Sequence, residues 1–271
     1  MNKVLRALTK KSLPFALRVR CHQIVRHARW WLQPQPWAVQ RGDPREFPVL
    51  MDERSSPMRR PLPDTASSAA EGKKINVTLG AAAVDGLVVA PGEIFSFSRV
   101  VGPPTRRRGF APGLEMHDQE FTQAEGGGLC QLANLLFGLA VHVDAEIVER
   151  HRHSFDLFPD TDRTVPFGFG ATVFYNYVDF QFRNSLDQPF LVRTWIDGDR
   201  LRGEVRLARC PRWRITVLES DHRFYRHNGA IWRENRLLRQ KVGIDGRKEA
   251  PVFLLGNKAQ VLYPAEHLLE S

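Results

Sequence analysis

Cys130 stands directly behind a run of glycines in "AEGGGLCQLANLLF" (residues 124–137), and two histidines follow in "EIVERHRHSFDLF" (146–158). These residue types are those of acyl transfer by a cysteine nucleophile and a histidine base. An apolar run begins after Cys130, so the thiol falls in the first turn of a helix. Free N–H groups and the partial positive charge of a helix start favour a thiolate, and the Cys130 pKa is expected to fall. Gly127 and Gly128 let backbone approach a substrate closely. With the Gln131 side chain they are the candidate oxyanion donors. His151 and His153 share one face of a strand through 146–158, and either is a candidate base. Asp179, Glu149 and Asp156 are rivals to orient it. Arg106, Arg107 and Arg150 are candidates to grip a substrate carboxylate. The run Arg106–Arg108 before Gly109 reads first as a solvated turn, with carboxylate recognition as the alternative. His117 and His142 stand alone and read as surface or structural histidines.

Two other chemistries use the same residues. Cys130, His151 and His153 would give three ligands and an open fourth position, the pattern of a zinc-dependent hydrolase. No second cysteine strengthens that set, so no cofactor is expected and zinc is the alternative. A lone cysteine in an apolar helix is also a common packing residue.

The elements that must position these residues follow from periodicity. Leu129, Leu132, Leu136, Leu139, Ala140 and Val143 form one apolar stripe, and the face of Cys130, Asn134, Phe137 and Val141 is largely apolar too, so this helix is expected to be buried. "KKINVTLGAAAVDGLVVAPGEIFSF" reads as a short helix from about Lys73, a stop at Gly86 and a strand turning at Pro91-Gly92. "ATVFYNYVDFQFRN" reads as a strand with Phe174, Val178, Phe180 and Phe182 inward. "DGD" at 197–199 marks a hairpin, and three further strand patterns fill the C-terminal part. The expected fold class is α+β: a buried helix carrying Cys130, packed on an antiparallel β-sheet or meander. The expected division is a basic arm with tryptophans (1–42), a Pro/Ser-rich linker (43–72), a core (73–209) and a β-rich extension of the same domain (210–271).

Net charge is +9, and the arm carries basic residues from Lys3 to Arg41 with no acidic residue before Asp43. Trp30, Trp31 and Trp37 lie in its second half. Such an arm suits an anionic membrane surface, and no nucleic acid is expected as partner. The rival reading is a solvated arm that packs its tryptophans on the domain. Three widely spaced cysteines argue against a disulfide framework. No segment reads as a signal peptide or a membrane span, so the expected location is cytoplasmic or peripheral at the inner membrane.

"PGEIFSFSRVVGPPTRRRGF", "GGGLCQLANLLF", "IVERHRHS" and "ATVFYNYVDFQFRN", in this order, resemble the VanW-like family over Lys73 to Arg236. The late "RHNGAIWREN" resembles its small stand-alone members. The resemblance implies an association with peptidoglycan and glycopeptide resistance, and L,D-transpeptidase chemistry at the family's cysteine. Carried onto this chain, Cys130 becomes the nucleophile, His151 or His153 the base, and a peptidoglycan stem peptide or precursor the substrate. The alternative is a non-catalytic accessory that binds cell-wall precursors or a membrane partner. Two features depart from the family's pattern. Gly170 in "GFGATV" stands where larger members carry aspartate, and Ala133, Asn134 and Leu135 stand where many members carry a Ser-Thr-Thr run.

Overall fold

The computed structural model describes residues 14–58, 67–117, 120–152, 155–156, 159 and 165–269. The fold is α+β and dominated by sheets. Helix α1 (Phe15–Leu32) is followed by β1 (Val49–Pro57), α2 (Ser67–Val84), β2 (Leu87–Val89), β3 (Ile94–Ser96) and a short α3 (Phe97–Val101). The hairpin β4 (Pro112–His117) and β5 (Glu120–Glu125) leads into α4 (Cys130–His142). Then come β6 (Glu146–Glu149), β7 (Phe155–Asp156), β8 (Gln181–Arg183), β9 (Phe190–Asp197) and β10 (Arg200–Leu207). Three longer strands close the chain: β11 (Trp213–His227), β12 (Ala230–Gly243) and β13 (Val252–Val261).

Helix α4 is the core, as its apolar residues on nearly all sides demand. Leu132, Leu136, Leu139, Ala133, Phe137 and Val141 are all buried. Each such leucine removed from water contributes about 2 kcal/mol. Leu136, Leu139, Ala140 and Val143 face Phe182, Phe190, Val192 and Val205, which come from β8, β9 and β10. The antiparallel sheet β1-β10-β9-β2 forms one wall, and β9 and β10 meet at the "DGD" turn. Gly138 lets the Arg54 side chain of β1 lie against α4, where a Cβ would collide with it.

Three expected elements differ from the structure. The segment 43–72 contains β1, whose residues alternate in exposure along the sheet edge and pair with β10. An edge strand buries only one side, so a run rich in Arg and Ser hid it from a hydrophobicity reading. "ATVFYNYVDFQFRN" is not one strand: Asn176 takes a positive φ of 52°, and the Tyr177 N–H returns to the Phe174 carbonyl at 2.9 Å. Phe180 and Phe182 are buried as expected, while Phe174 and Val178 are only partly so. Residues 146–156 likewise divide between β6 and β7, which lie in different sheets.

The C-terminal sheet β11-β12-β13, with β7 parallel to β13, packs on the core through Ile215, Leu237 and Leu255, and ion pairs add to that contact. Asp144, just beyond α4, lies 2.6 Å from Arg239 and 2.7 Å from Lys241. No helix among the described residues is long and apolar enough to cross a membrane.

Candidate functional site

The glycine run is shaped by its neighbours. Gly126 and Gly128 have φ of 85° and 97°, which side-chain-bearing residues rarely adopt. Gly127 serves a different need: a Cβ there would fall on the Gly113 carbonyl of β4. The fully buried Asn76 of α2 fastens this crossing. Its Nδ2 donates to the carbonyls of Gly127 (2.9 Å) and Ala111 (2.8 Å), and its Oδ1 accepts from the Ala111 N–H (2.9 Å). The close approach at Gly127 is therefore between two stretches of this chain's own backbone. Asn76 had only one signal in the sequence, an amide between Ile75 and Val77 inside a helical pattern.

Cys130 opens α4 and packs against the core with part of its surface open. Its Sγ–H donates to the Val173 carbonyl at 3.7 Å. Burial pushes the thiol up to about 11, and the Glu115 carboxylate adds to the push. The expected fall is thus corrected. The helix start is present, but desolvation of the thiolate outweighs it. Gln131 donates to Ser56 Oγ and the Pro57 carbonyl at 2.8 Å each, so its amide is committed to the end of β1.

His151 donates from Nε2 to Glu149 Oε1 at 3.0 Å, and its side chain is 43% exposed. Glu149 is gripped from the other side by Arg26 of α1, through two bonds of 2.7 Å. Burial opposes ionisation of Glu149, but the bonds from His151, Arg26 and the Asp179 N–H hold its carboxyl down to about 2. Arg26 had no sequence signal, because its partner is 123 residues away. Asp179 is fully buried and accepts from Ser96 Oγ, Gln181 Nε2 and the N–H groups of Ser98 and Phe180. Burial raises its pKa against those bonds. Asp156 is held by Arg233 and Tyr263 in the C-terminal sheet. Glu149 is therefore the carboxylate bonded to His151 among the described residues. His153 lies outside the described residues.

Cys130 and His151 flank one short stretch of backbone. The Thr172 N–H donates to the His151 carbonyl at 2.8 Å, and the next residue, Val173, accepts from Cys130. No hydrogen bond joins the thiol to the imidazole among the described residues. Arg150 donates to the carbonyls of Gly170 (2.7 Å) and Gly168 (2.6 Å) and to Asn257 Oδ1 (3.1 Å), and its guanidinium lies over the Phe137 ring. Burial and the neighbouring Arg152 lower its pKa to about 10. Arg106 pairs with Glu125 at 2.7 Å, and Arg107 is exposed. Among the described residues no group of three His, Cys, Asp or Glu side chains is placed to hold a metal ion. At Gly170 a Cβ would fall on Asn134 Oδ1, which accepts from the Ala171 N–H at 2.8 Å. The two departures noted in the sequence are thus one interlocked pair: the amide of Asn134 fills the space beside Gly170.

With this geometry in place, comparison with known proteins decides the family. Residues 72–206 match the family model described as VanW like protein. The chain is a VanW-like protein. The VanW-like match runs from α2 to β10 and so includes Cys130, Glu149 and His151. The Vancomycin B-type resistance protein VanW of Enterococcus faecalis is 28% identical over 195 residues, covering 72% of this chain and 71% of that one. The Uncharacterized protein YoaR of Bacillus subtilis is 35% identical over 130 residues, covering 47% of this VanW-like chain and 40% of that one. No solved structure matches the chain.

Proposed function

We propose that this VanW-like protein acts on the cell wall in the setting of glycopeptide resistance, as a cysteine acyl-transfer enzyme on peptidoglycan stem peptides. One observation carries the reading: Cys130 and the His151–Glu149 pair lie on either side of Thr172–Val173. In this reading His151 takes the Cys130 proton once substrate draws the two together. The sulfur then attacks the carbonyl between the third and fourth stem residues. A thioester forms as the C–N bond breaks, and the departing amine takes the proton from His151. An incoming amine then gives a cross-link, or water gives a cut. Glu149, already ionised, stabilises the imidazolium that forms.

A second reading, a non-catalytic accessory, is favoured by the thiol held neutral at its raised pKa. Replacing Cys130 with Ser separates the two. The enzyme reading expects muropeptide cross-link change and glycopeptide tolerance to fall by at least about a hundredfold in rate for a lost nucleophile. Full retention of both by folded Cys130→Ser protein would overturn it and leave the accessory reading.

A further inference from the structure

Helix α1 is mounted with its apolar side outward. The side that meets the domain is polar and aromatic. Arg26 binds Glu149, Gln23 Nε2 donates to the Tyr175 carbonyl at 3.1 Å, and Asn176 Nδ2 donates to His27 Nε2 at 2.9 Å. Phe15 and His22 meet the Tyr177 ring edge-on, Trp30 meets Trp37 edge-on, and the Arg99 guanidinium lies over both indoles. Val19 is buried beneath them. Leu17, Ile24, Ala28 and Trp31 recur at helical spacing on the opposite side, with Leu32 beside them. Leu17 is 48%, Ile24 67%, Trp31 84% and Leu32 66% exposed. A helix held only by packing would turn this stripe inward; here the Arg26–Glu149 clamp fixes it the other way.

We infer that the outer face of α1 is an interfacial anchor for an anionic lipid surface. Arg20 and Arg29, both exposed, border the stripe on its two sides, and no acidic residue precedes Asp43. An apolar stripe with an interfacial indole and basic borders matches the boundary between acyl chains and anionic headgroups. A second copy of the chain is a poor occupant by the same charges, since pairing two such faces sets arginine against arginine. In the sequence, Lys3, Arg6, Lys10 and Lys11 precede the helix, again with no acidic residue among them. The anchor does not depend on Cys130 chemistry. Its consequence for the molecule is orientation: the residues that hold α1, Glu149 and Tyr175–Tyr177, adjoin His151 and Thr172.

The test uses the full chain with vesicles of phosphatidylcholine alone and of phosphatidylcholine mixed with phosphatidylglycerol, read by co-sedimentation. Three proteins are compared: wild type, the double variant Ile24→Ser with Trp31→Ala, and the double variant Arg20→Glu with Arg29→Glu. All four positions are solvent-facing, so the melting temperature should stay unchanged. Wild type should bind the anionic vesicles, more weakly as salt is raised, and each double variant should lose about tenfold or more in affinity. The inference is overturned by absent binding, by equal binding to neutral and anionic vesicles, or by full binding of the Ile24→Ser, Trp31→Ala protein. It is also overturned if light scattering finds a dimer that this variant abolishes.

Discussion

At the residue scale the decisive contrast is between position and environment at Cys130. The first turn of α4 supplies N–H groups and a dipole, worth about 1 kcal/mol near the surface. Burial of the thiolate costs more, and the thiol rises to about 11. The group therefore stays protonated through neutral pH and ionises only as pH climbs past its ordinary range. Alkylation by a small haloacetamide, followed by peptide mass spectrometry, should find the exposed Cys210 modified first and Cys130 spared near pH 7. The Cys130 rate should climb steadily toward pH 11. A Cys130 that reacts fully at neutral pH would show that its resting environment is more polar than this. Bound stem peptide should protect Cys130 from labelling under the acyl-transfer reading, since its carbonyl occupies the sulfur.

At the element scale the glycine run is explained by a backbone crossing. β4 and the turn before α4 touch at Gly113 and Gly127, and Asn76 of α2 ties the two strands of chain together. Three elements thus meet where α4 begins, and the position of Cys130 is inherited from that junction. Gly127→Ala should cost about 3 kcal/mol or prevent folding, because the added methyl meets backbone, which cannot rotate away. Chemical denaturation of the variant beside Gly92→Ala is the measurement. Gly92 has open space around its missing Cβ and should lose only the smaller penalty of its positive φ. Equal losses at the two sites would remove the crossing from the explanation.

At the scale of the whole molecule one short segment gathers distant parts of the chain. Glu149 holds α1 through Arg26, Arg150 holds β13 through Asn257, and Asp156 holds β12 through Arg233. The N-terminal helix and the C-terminal sheet are thereby fastened next to His151. The Glu149 link has a pH signature. Its folded carboxyl sits at about 2, below the usual 4.5. The stability it contributes is therefore complete above pH 4.5 and is lost as pH falls from there toward 2. A shift of this size corresponds to about 3 kcal/mol at most, less for an ion pair that water partly reaches. Glu149→Gln should lower stability at pH 7 and flatten its decline below pH 4.5, measured by urea titration across pH. Proteolysis should cut first near α1, since Arg26 then lacks its strongest partner. An unchanged acid limb would place the linkage elsewhere.

Local periodicity was enough to read the buried α4, the hairpin at "DGD", the three C-terminal strands and the placement of Cys130 in a first helical turn. These features repeat every two or nearly four residues, so neighbouring side chains announce them. The family resemblance was carried by linked motifs of the same local kind. What spacing did not reveal was decided by contacts between distant segments. β1 was hidden because an edge strand needs few apolar residues, and the break at Asn176 because one positive φ interrupts an otherwise alternating pattern. The choice of Glu149 over Asp179 and Asp156 as the partner of His151 followed from three-dimensional packing, which enclosed the other two carboxylates elsewhere. Whether a helix start activates a thiol is likewise a question of how much water and charge surround the sulfur, and only the folded chain answers it: around Cys130 there is a carbonyl, a distant carboxylate and packed core.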